Sequence, residues 1–384
     1  MTKLKIGIDA SNLRQGGGRT HLIELLNVAD PERDNIEFVI VWGSEETLAL
    51  LPERPWIKKT SVKKISQGFI WRTIWQFFIS ARHARIHDCN IFFAPGGSVV
   101  PTFKPTVTMC RNMLPFDWKE LSRYGFSITT FRLILLRFIQ TFSIKNSDGV
   151  IFLTSFARNA VLSCVGPISG KSTIIQHGVN YRFTNSGNKT PRLRSINSEK
   201  IIKLIYVSKI DVYKHQWVIV EGIAIARRET GLDLRLTLIG SSYAPAMRRL
   251  QKAINRWDPE ERWTDCLGHI DYDQIEKVYH SAHIVVFASS CENMPNILLE
   301  ALASGLPILA SNRGPMHEIL GKSGNYFDPE NASDFANCLV RFLDESDHSL
   351  PPLRQDVDVV EQFSWERTAI KTFSFLSKIK NANN

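Results

Sequence analysis

The chain has 384 residues, of which 43% are hydrophobic and 22% charged, a length suited to two domains and a composition that excludes a disordered or collagen-like chain. Lys and Arg outnumber Asp and Glu by 47 to 38, a net charge of +9, which points to an anionic partner: a nucleotide diphosphate, an anionic lipid or a nucleic acid. No apolar run approaches the roughly 20 residues of a membrane-spanning helix, and the start, MTKLKIGIDAS, enters a strand without a signal-peptide core, so a cytoplasmic protein is expected.

Residues 4–9 are apolar enough for a first strand, residues 12–18 form a polar loop, and Leu22, Ile23, Leu25 and Leu26 give residues 19–27 helical spacing. Strand, glycine-rich loop, helix is the layout of a phosphate-approaching turn. Gly16, Gly17 and Gly18 fit neither a Walker A nor a G-x-G-x-x-G pattern, and an ordinary flexible turn is the other reading. Residues 37–42 are the second strand. From 54 to 87 the chain carries eight Lys or Arg, including Lys58, Lys59, Lys63 and Lys64, and no acid. Within it, FIWRTIWQFFI over 69–79 is dense in aromatics. Either this is an interfacial helix on an anionic membrane, with Trp71 and Trp75 supplying the apolar part, or its apolar side packs on the sheet.

Residues 90–94 and 105–110 read as strands, the second running into Arg111 and Asn112. Arg111 cannot serve as a general base at neutral pH; it grips an acceptor phosphate or forms a structural salt bridge. Residues 119–145 form a long helical region in which Phe131, Leu133, Leu135, Leu136 and Phe138 interleave with Arg132 and Arg137, extending the basic apolar surface. Strands at 150–155 and 173–176, with a helix at 156–163 between them, complete a first domain over 1–183. The six cysteines have no C-x-x-C pair and read as reduced thiols, with Cys291 a candidate for exposure.

Residues 184–200, TNSGNKTPRLRSINSEK, are polar, basic and contain a proline, as a linker would. The second domain, 201–364, opens with a strand at 203–207 followed by Ser208, Lys209 and Lys214; a strand at 234–239 ends at Gly240. Asp271-Tyr272-Asp273 formally matches D-x-D, but it precedes a helix at 274–281 and reads as an N-cap; Asp356-Val357-Asp358 is no more persuasive. After a strand at 283–288, Pro295 suits the first turn of a helix capped by Asn293 or Met294, and Gly305 with Pro307 stops it. Glu292 then leaves the carboxyl end of a parallel strand while Glu300 lies on the early turns of the following helix. Ligands of open α/β sheets collect at that edge, and acceptor-only carboxylates suit sugar hydroxyls. The eight-residue spacing by itself carries little.

Taken with its context, SSCENMPNILLEALASGLPILASNRGPMHEIL resembles the donor-sugar signature of glycosyltransferase family 4, the retaining GT-B enzymes. The match runs through Glu292, Asn293-Met294-Pro295-Asn296, Glu300-Ala301, Ala303, Gly305-Leu306-Pro307 and Glu318. The resemblance implies an α/β GT-B fold: two Rossmann-like doubly wound domains facing a cleft, with residues 365–384 as a helix crossing back to the first. It implies that Glu292 contacts the transferred sugar, that Glu300 holds the ribose hydroxyls, and that Lys209 and Lys214 clamp the diphosphate. Ser208, Gly240 and the run Asn293, Met294, Pro295, Asn296, Ile297 would line the donor site, and Gly16, Gly17 and Gly18 would let backbone approach it. His177-Gly178-Val179-Asn180 looks like the family's crossover between domains. Asn293-Met294 stands where many relatives carry a Gly-Phe-Gly-type loop, and Arg111-Asn112 where many carry His-Asp.

The activity implied is retaining transfer from a nucleotide-diphosphate sugar to a glycan or lipid-linked glycan acceptor, as in lipopolysaccharide, O-antigen or capsule assembly, with no metal and no cofactor. A peripheral position at the inner face of the cytoplasmic membrane would suit the basic apolar segment. A GT-B epimerase or phosphorylase, or a non-catalytic nucleotide-sugar-binding protein, are the rival readings; nucleic-acid binding has no recognition motif behind it.

Overall fold

The computed structural model describes residues 2–14, 16–62, 68–99, 102–183, 201–346 and 361–383. The expected linker at 184–200, Lys63, Lys64 and Asp356-Val357-Asp358 lie outside the described residues. The chain divides into two compact units: residues 1–121, 125–178 and 363–384 form the first, and residues 122–124 with 179–362 the second.

The first unit is built on seven parallel strands: β1 (Leu4–Asp9), β2 (Ile36–Gly43), β3 (Ile57–Ser61), β4 (Ile91–Ala94), β5 (Thr106–Met109), β6 (Gly149–Phe152) and β7 (Lys171–Ile174), in the order 3-2-1-4-5-6-7. β4, β5 and β6 are buried along their whole length, as strands covered by helices on both faces must be. The C-terminal helix Trp365–Ala382 belongs to this unit. Ser364 caps it by accepting from Arg367 N at 3.2 Å, and Thr368 Oγ1 donates to Gln176 O at 2.8 Å. At Gly149 an added Cβ would stand 3.0 Å from Ile379 and Phe375, so the absence of a side chain where β6 opens is what lets this helix sit close.

Three expectations need correction here. The first helix is Gly17–Val28, so Gly17 and Gly18 form its first turn and only Gly16, at φ 70°, stays outside as the N-cap. The long helical region at 119–145 is two helices, Trp118–Ser122 and Ile128–Asn146, parted by Gly125 at φ 59°, a conformation only glycine adopts cheaply. The third concerns Phe69–Ile74, whose helix passes into a π-turn at Trp75–Ile79 and on into Ser80–Ile86. Trp75 is 3% exposed inside the core beside Trp42 and Phe92, and its Nε1 donates to Asp9 Oδ1 at 3.3 Å. Trp75 therefore cannot enter a bilayer; Trp71, at 39% exposed, is open to solvent.

The second unit carries six parallel strands: β8 (Ile201–Val207), β9 (Asp233–Ile239), β10 (Thr264–Gly268), β11 (Ile284–Phe287), β12 (Ile308–Ser311) and β13 (Gly324–Phe327). Their spatial order, 10-9-8-11-12-13, is the 3-2-1-4-5-6 order of dinucleotide-binding sheets, which reverses direction between β8 and β11. Both units are thus doubly wound, as the sequence implied. Residues 179–183 join this unit rather than the first: Phe183 is buried and packs on the rings of Tyr272 and Tyr279 at 5.8 and 6.1 Å.

Candidate active site

In the second unit the chain leaves the carboxyl ends of β8 and β11 at the reversal point, and the loops there carry most of the sequence-predicted residues. After β8, Ser208 is buried and its Oγ accepts from Gln216 Nε2 at 3.0 Å. Lys209 is exposed, with its Nζ 2.9 Å from the buried carboxylate of Asp211. Asp211 also accepts from Tyr124 OH at 2.9 Å. The loop then turns through His215 at φ 51°, whose Nε2 meets Ser290 Oγ at 2.8 Å. Ser290 N donates to Tyr213 O at 2.9 Å, so two separate hydrogen bonds fasten this loop to the one after β11.

That fastening brings Lys214 to Glu292. Their ammonium and carboxylate form an ion pair, with Lys214 buried and Glu292 half-buried. The Lys214 Nζ also stands 5.0 Å from the centroid of the Phe287 ring. An ion pair so desolvated depends on its partner, because either charge alone would be stranded. Gly240, at φ 146°, ends β9 against the same loop: a Cβ there would lie 2.2 Å from Ser208 O. This close approach requires glycine.

Pro295 is the N-cap of the helix Asn296–Ala303, one residue earlier than its expected place inside the first turn. Asn293, Met294 and Cys291 are buried, while Asn296 and Ile297 are half-buried; Cys291 is accordingly not exposed. Glu300 on the second turn is 4% exposed. Tyr272 OH donates to its Oε1 at 2.9 Å. Burial pushes the Glu300 carboxyl up to about 7, against the Tyr272 bond and the Arg182 charge, which pull it down. Arg182 lies over the Tyr272 ring, 3.9 Å from its centroid, and reaches Asp273 Oδ1 at 3.0 Å. Lys214 and Glu300 both depart from the open placement that clamp and ribose roles suggest, because the tethered loops and the Tyr272 ring cover them.

Tyr272, Arg182 and Asp211 were not legible as site residues. The signal for Tyr272 was present, since it is the middle of Asp271-Tyr272-Asp273, but the triplet drew attention to its carboxylates. Asp271 occupies the N-cap position of the helix Tyr272–His280 without a side-chain bond. A further cluster joins Arg313 to Asp328 at 2.9 Å, and both Arg313 and Arg123 to Glu330.

In the first unit, Arg111 lies over the first turn of Gly17–Val28: a Cβ on Gly18 would be 3.7 Å from its Nε. Burial draws the Arg111 guanidinium down to about 10. Its Nη2 stands 3.5 Å from His177 Nε2, and His177 Nδ1 meets His21 Nδ1 at 3.0 Å. Since a guanidinium only donates, His177 carries its proton on Nδ1 and donates to His21, an assignment drawn from the network. Burial, with the Arg111 charge behind it, holds both imidazoles well below their usual range, so they stay neutral. Among the described residues Arg111 has no carboxylate partner, which removes the salt-bridge reading of this side chain. Asn112 is occupied locally, its Oδ1 accepting from Leu114 N at 3.1 Å.

Residues 202–345 match the family model described as Glycosyl transferases group 1. A D-inositol 3-phosphate glycosyltransferase of Paenarthrobacter aurescens is 27% identical over 197 residues, which is 50% of this chain and 47% of that one. An O-antigen chain mannosyltransferase B of Escherichia coli is 25% identical over 170 residues, 44% of each chain. The chain thus spans about half the length of these curated relatives. Among solved structures, Anabaena HepE in complex with UDP and glucose superposes with a TM-score of 0.70 at 16% identity, covering 97% of this chain and 99% of that one. That likeness is one of fold, and the fold is GT-B.

Proposed function

We propose that this chain, whose residues 202–345 match the model of the glycosyl transferases group 1 family, moves a sugar from a nucleotide-diphosphate sugar to a glycan or lipid-linked glycan acceptor. The observation that carries the proposal is the meeting of Lys214 and Glu292 at the reversal point of the second sheet, eight residues before a buried Glu300 on the following helix. The two charges satisfy each other. A donor offers each a better partner: phosphate oxygens for Lys214 and sugar hydroxyls, all donors, for Glu292. Lys209 adds a second cation at the diphosphate. Both lysines then favour the transition state over the ground state, since negative charge grows on the diphosphate as the glycosidic bond breaks.

In this reading Glu300 exchanges the Tyr272 hydroxyl for the ribose hydroxyls, and Ser208, Gly240 and Asn293 to Ile297 shape the donor pocket. The acceptor hydroxyl attacks on the face the diphosphate leaves, its proton passes to the departing phosphate oxygen, and the anomeric configuration is retained. No divalent ion takes part. Arg111, a cation with no carboxylate partner among the described residues, supports an acceptor that carries a phosphate. The curated relative named for an O-antigen chain supports a role in bacterial surface-polysaccharide assembly, and we place that role at the inner face of the cytoplasmic membrane. The test is a panel of nucleotide sugars screened by thermal stabilisation, where a ligand at about 100 times its dissociation constant adds roughly 2.7 kcal/mol. Labelled transfer from the stabilising donor follows, with the product anomer read by NMR. Saturable binding without transfer to any glycan acceptor would leave a nucleotide-sugar-binding protein instead.

A further inference from the structure

The helix Ile128–Asn146 of the first unit contains Arg132, Arg137 and Lys145 and not one Asp or Glu over its 19 residues. Its buried side is formed by Leu133, Gln140, Ser143 and Ile144. The opposite side is apolar and open: Ile128 is 88%, Phe131 71%, Phe138 68% and Phe142 48% exposed. Steps of three, seven and four residues place these four along one stripe, about 21 Å from end to end. Phe126, just ahead of the helix, is fully exposed and extends it. Arg132 and Lys145 stand exposed beside the stripe. Soluble monomers scatter single apolar side chains over their surface, but a continuous row of phenylalanines marks a surface that something covers.

We infer that this stripe is a docking surface for an anionic lipid bilayer, in which the helix lies along the interface with its phenylalanines among the acyl chains. Aromatic residues on one side, basic residues flanking them and no acid is the composition of an interfacial helix. Charge decides against a second copy of the chain. A two-fold contact would set the stripe against itself, bringing Arg132 and Lys145 of each copy together with no carboxylate on either helix to pair them. Of the two segments that the sequence offered for a basic apolar surface, residues 54–87 keep less of theirs. Trp75 is in the core, and Lys59 reaches Glu53 and Leu51 O rather than solvent alone. The inference rests on the transferase reading only in giving a lipid-linked acceptor a reason to be there; bilayer binding itself needs neither donor nor turnover.

The experiment is co-sedimentation of the full chain with vesicles of phosphatidylcholine alone and of phosphatidylcholine mixed with phosphatidylglycerol, at low and high salt. Binding to the anionic vesicles should be at least about tenfold tighter, and salt should weaken it. Phe131→Ser/Phe138→Ser should lower binding to both kinds of vesicle about tenfold or more, while Arg132→Gln/Lys145→Gln should abolish the anionic preference. Both variants should keep the wild-type circular dichroism and the wild-type thermal shift with UDP-sugars, which separates failure at the bilayer from failure of the donor site. Equal binding by wild type and phenylalanine variant, or no vesicle binding, overturns the inference. So does a wild-type dimer in sedimentation velocity that becomes a monomer in the phenylalanine variant, which would make the stripe a contact between copies.

Discussion

A carboxyl group held at about 7 where its ordinary value is 4.5 ties stability to pH in a definite direction. Between those values the unfolded chain has released the Glu300 proton and the folded chain still holds it. Stability therefore falls as pH rises from about 4.5 to about 7 and is level beyond. At about 1.4 kcal/mol per pH unit, the loss above pH 7 is roughly 3 kcal/mol. Glu300→Gln keeps an acceptor for the Tyr272 hydroxyl and removes the titration, so its denaturant midpoint should lie above wild type at pH 8 and converge with it near pH 4. Nucleotide affinity should move the other way. It should rise through pH 7 in wild type, as the carboxylate forms, and be weak and flat in Glu300→Gln. Superimposable stability profiles for the two proteins would rule out a buried, proton-holding Glu300.

Burial also changes what is expected of Lys214. A lysine on an open surface could be removed with little effect on the fold. Here its removal strands Glu292, and breaking a buried pair costs about 3 kcal/mol or more. Lys214→Ala should therefore lose stability together with turnover. Lys214→Ala/Glu292→Ala should recover much of the stability and none of the turnover. A double variant as unstable as the single one would show that the pairing is not what holds these loops.

At the scale of elements, the strands were the most legible part of the chain, because runs such as IVVF at Ile284–Phe287 are apolar on both faces and bounded by polar turns. The helix at 69–86 shows where pattern fails. Trp71 and Trp75 are four residues apart, so helical spacing places them on one side and predicts one fate for both. Burial depends instead on what the rest of the chain puts beneath each turn, here Trp42, Phe92 and the Asp9 carboxylate under Trp75. The π-turn over Trp75–Ile79 interrupts the α-helical register and leaves no trace in composition. Trp75→Ala should cost about 3–5 kcal/mol by opening a core cavity, whereas Trp71→Ala should stay within about 0.5 kcal/mol of wild type, as surface substitutions do. Chemical denaturation of the two variants side by side checks this, and equal losses would contradict the burial of one ring and not the other.

For the molecule as a whole, the doubly wound class and the elements that carry Glu292 and Glu300, a loop after a strand and the helix that follows it, were legible in the sequence because they rest on local pattern and on a signature confined to one stretch. What did not follow was every relation between distant segments: Arg182 over Tyr272, the Tyr124 hydroxyl donating to Asp211, and Arg111 beside two neutral histidines. Each joins residues whose separation in the chain carries no local signal. These relations also bear on the proposed transfer from an anionic donor. Of the two carboxylates flanking Tyr272, Asp273 is paired with Arg182 and Asp271 sits at a helix N-cap, so neither is poised to share a divalent ion with a diphosphate. In the proposed transfer the charge of the leaving group would then fall to Lys209 and Lys214, with the N-terminus of the helix Asn296–Ala303 adding its partial positive charge. Transfer should accordingly proceed undiminished in EDTA, and Asp271→Asn/Asp273→Asn should keep most of its kcat. Lys209→Ala, at an exposed position where the buried Asp211 keeps its bonds from Tyr124 OH and Val212 N, should keep most of the stability and lower kcat about 10²–10³-fold, the usual cost of removing one group that stabilises developing charge. If EDTA abolishes transfer and Mn2+ restores it, the developing charge is carried by a metal, and the two lysines serve binding alone.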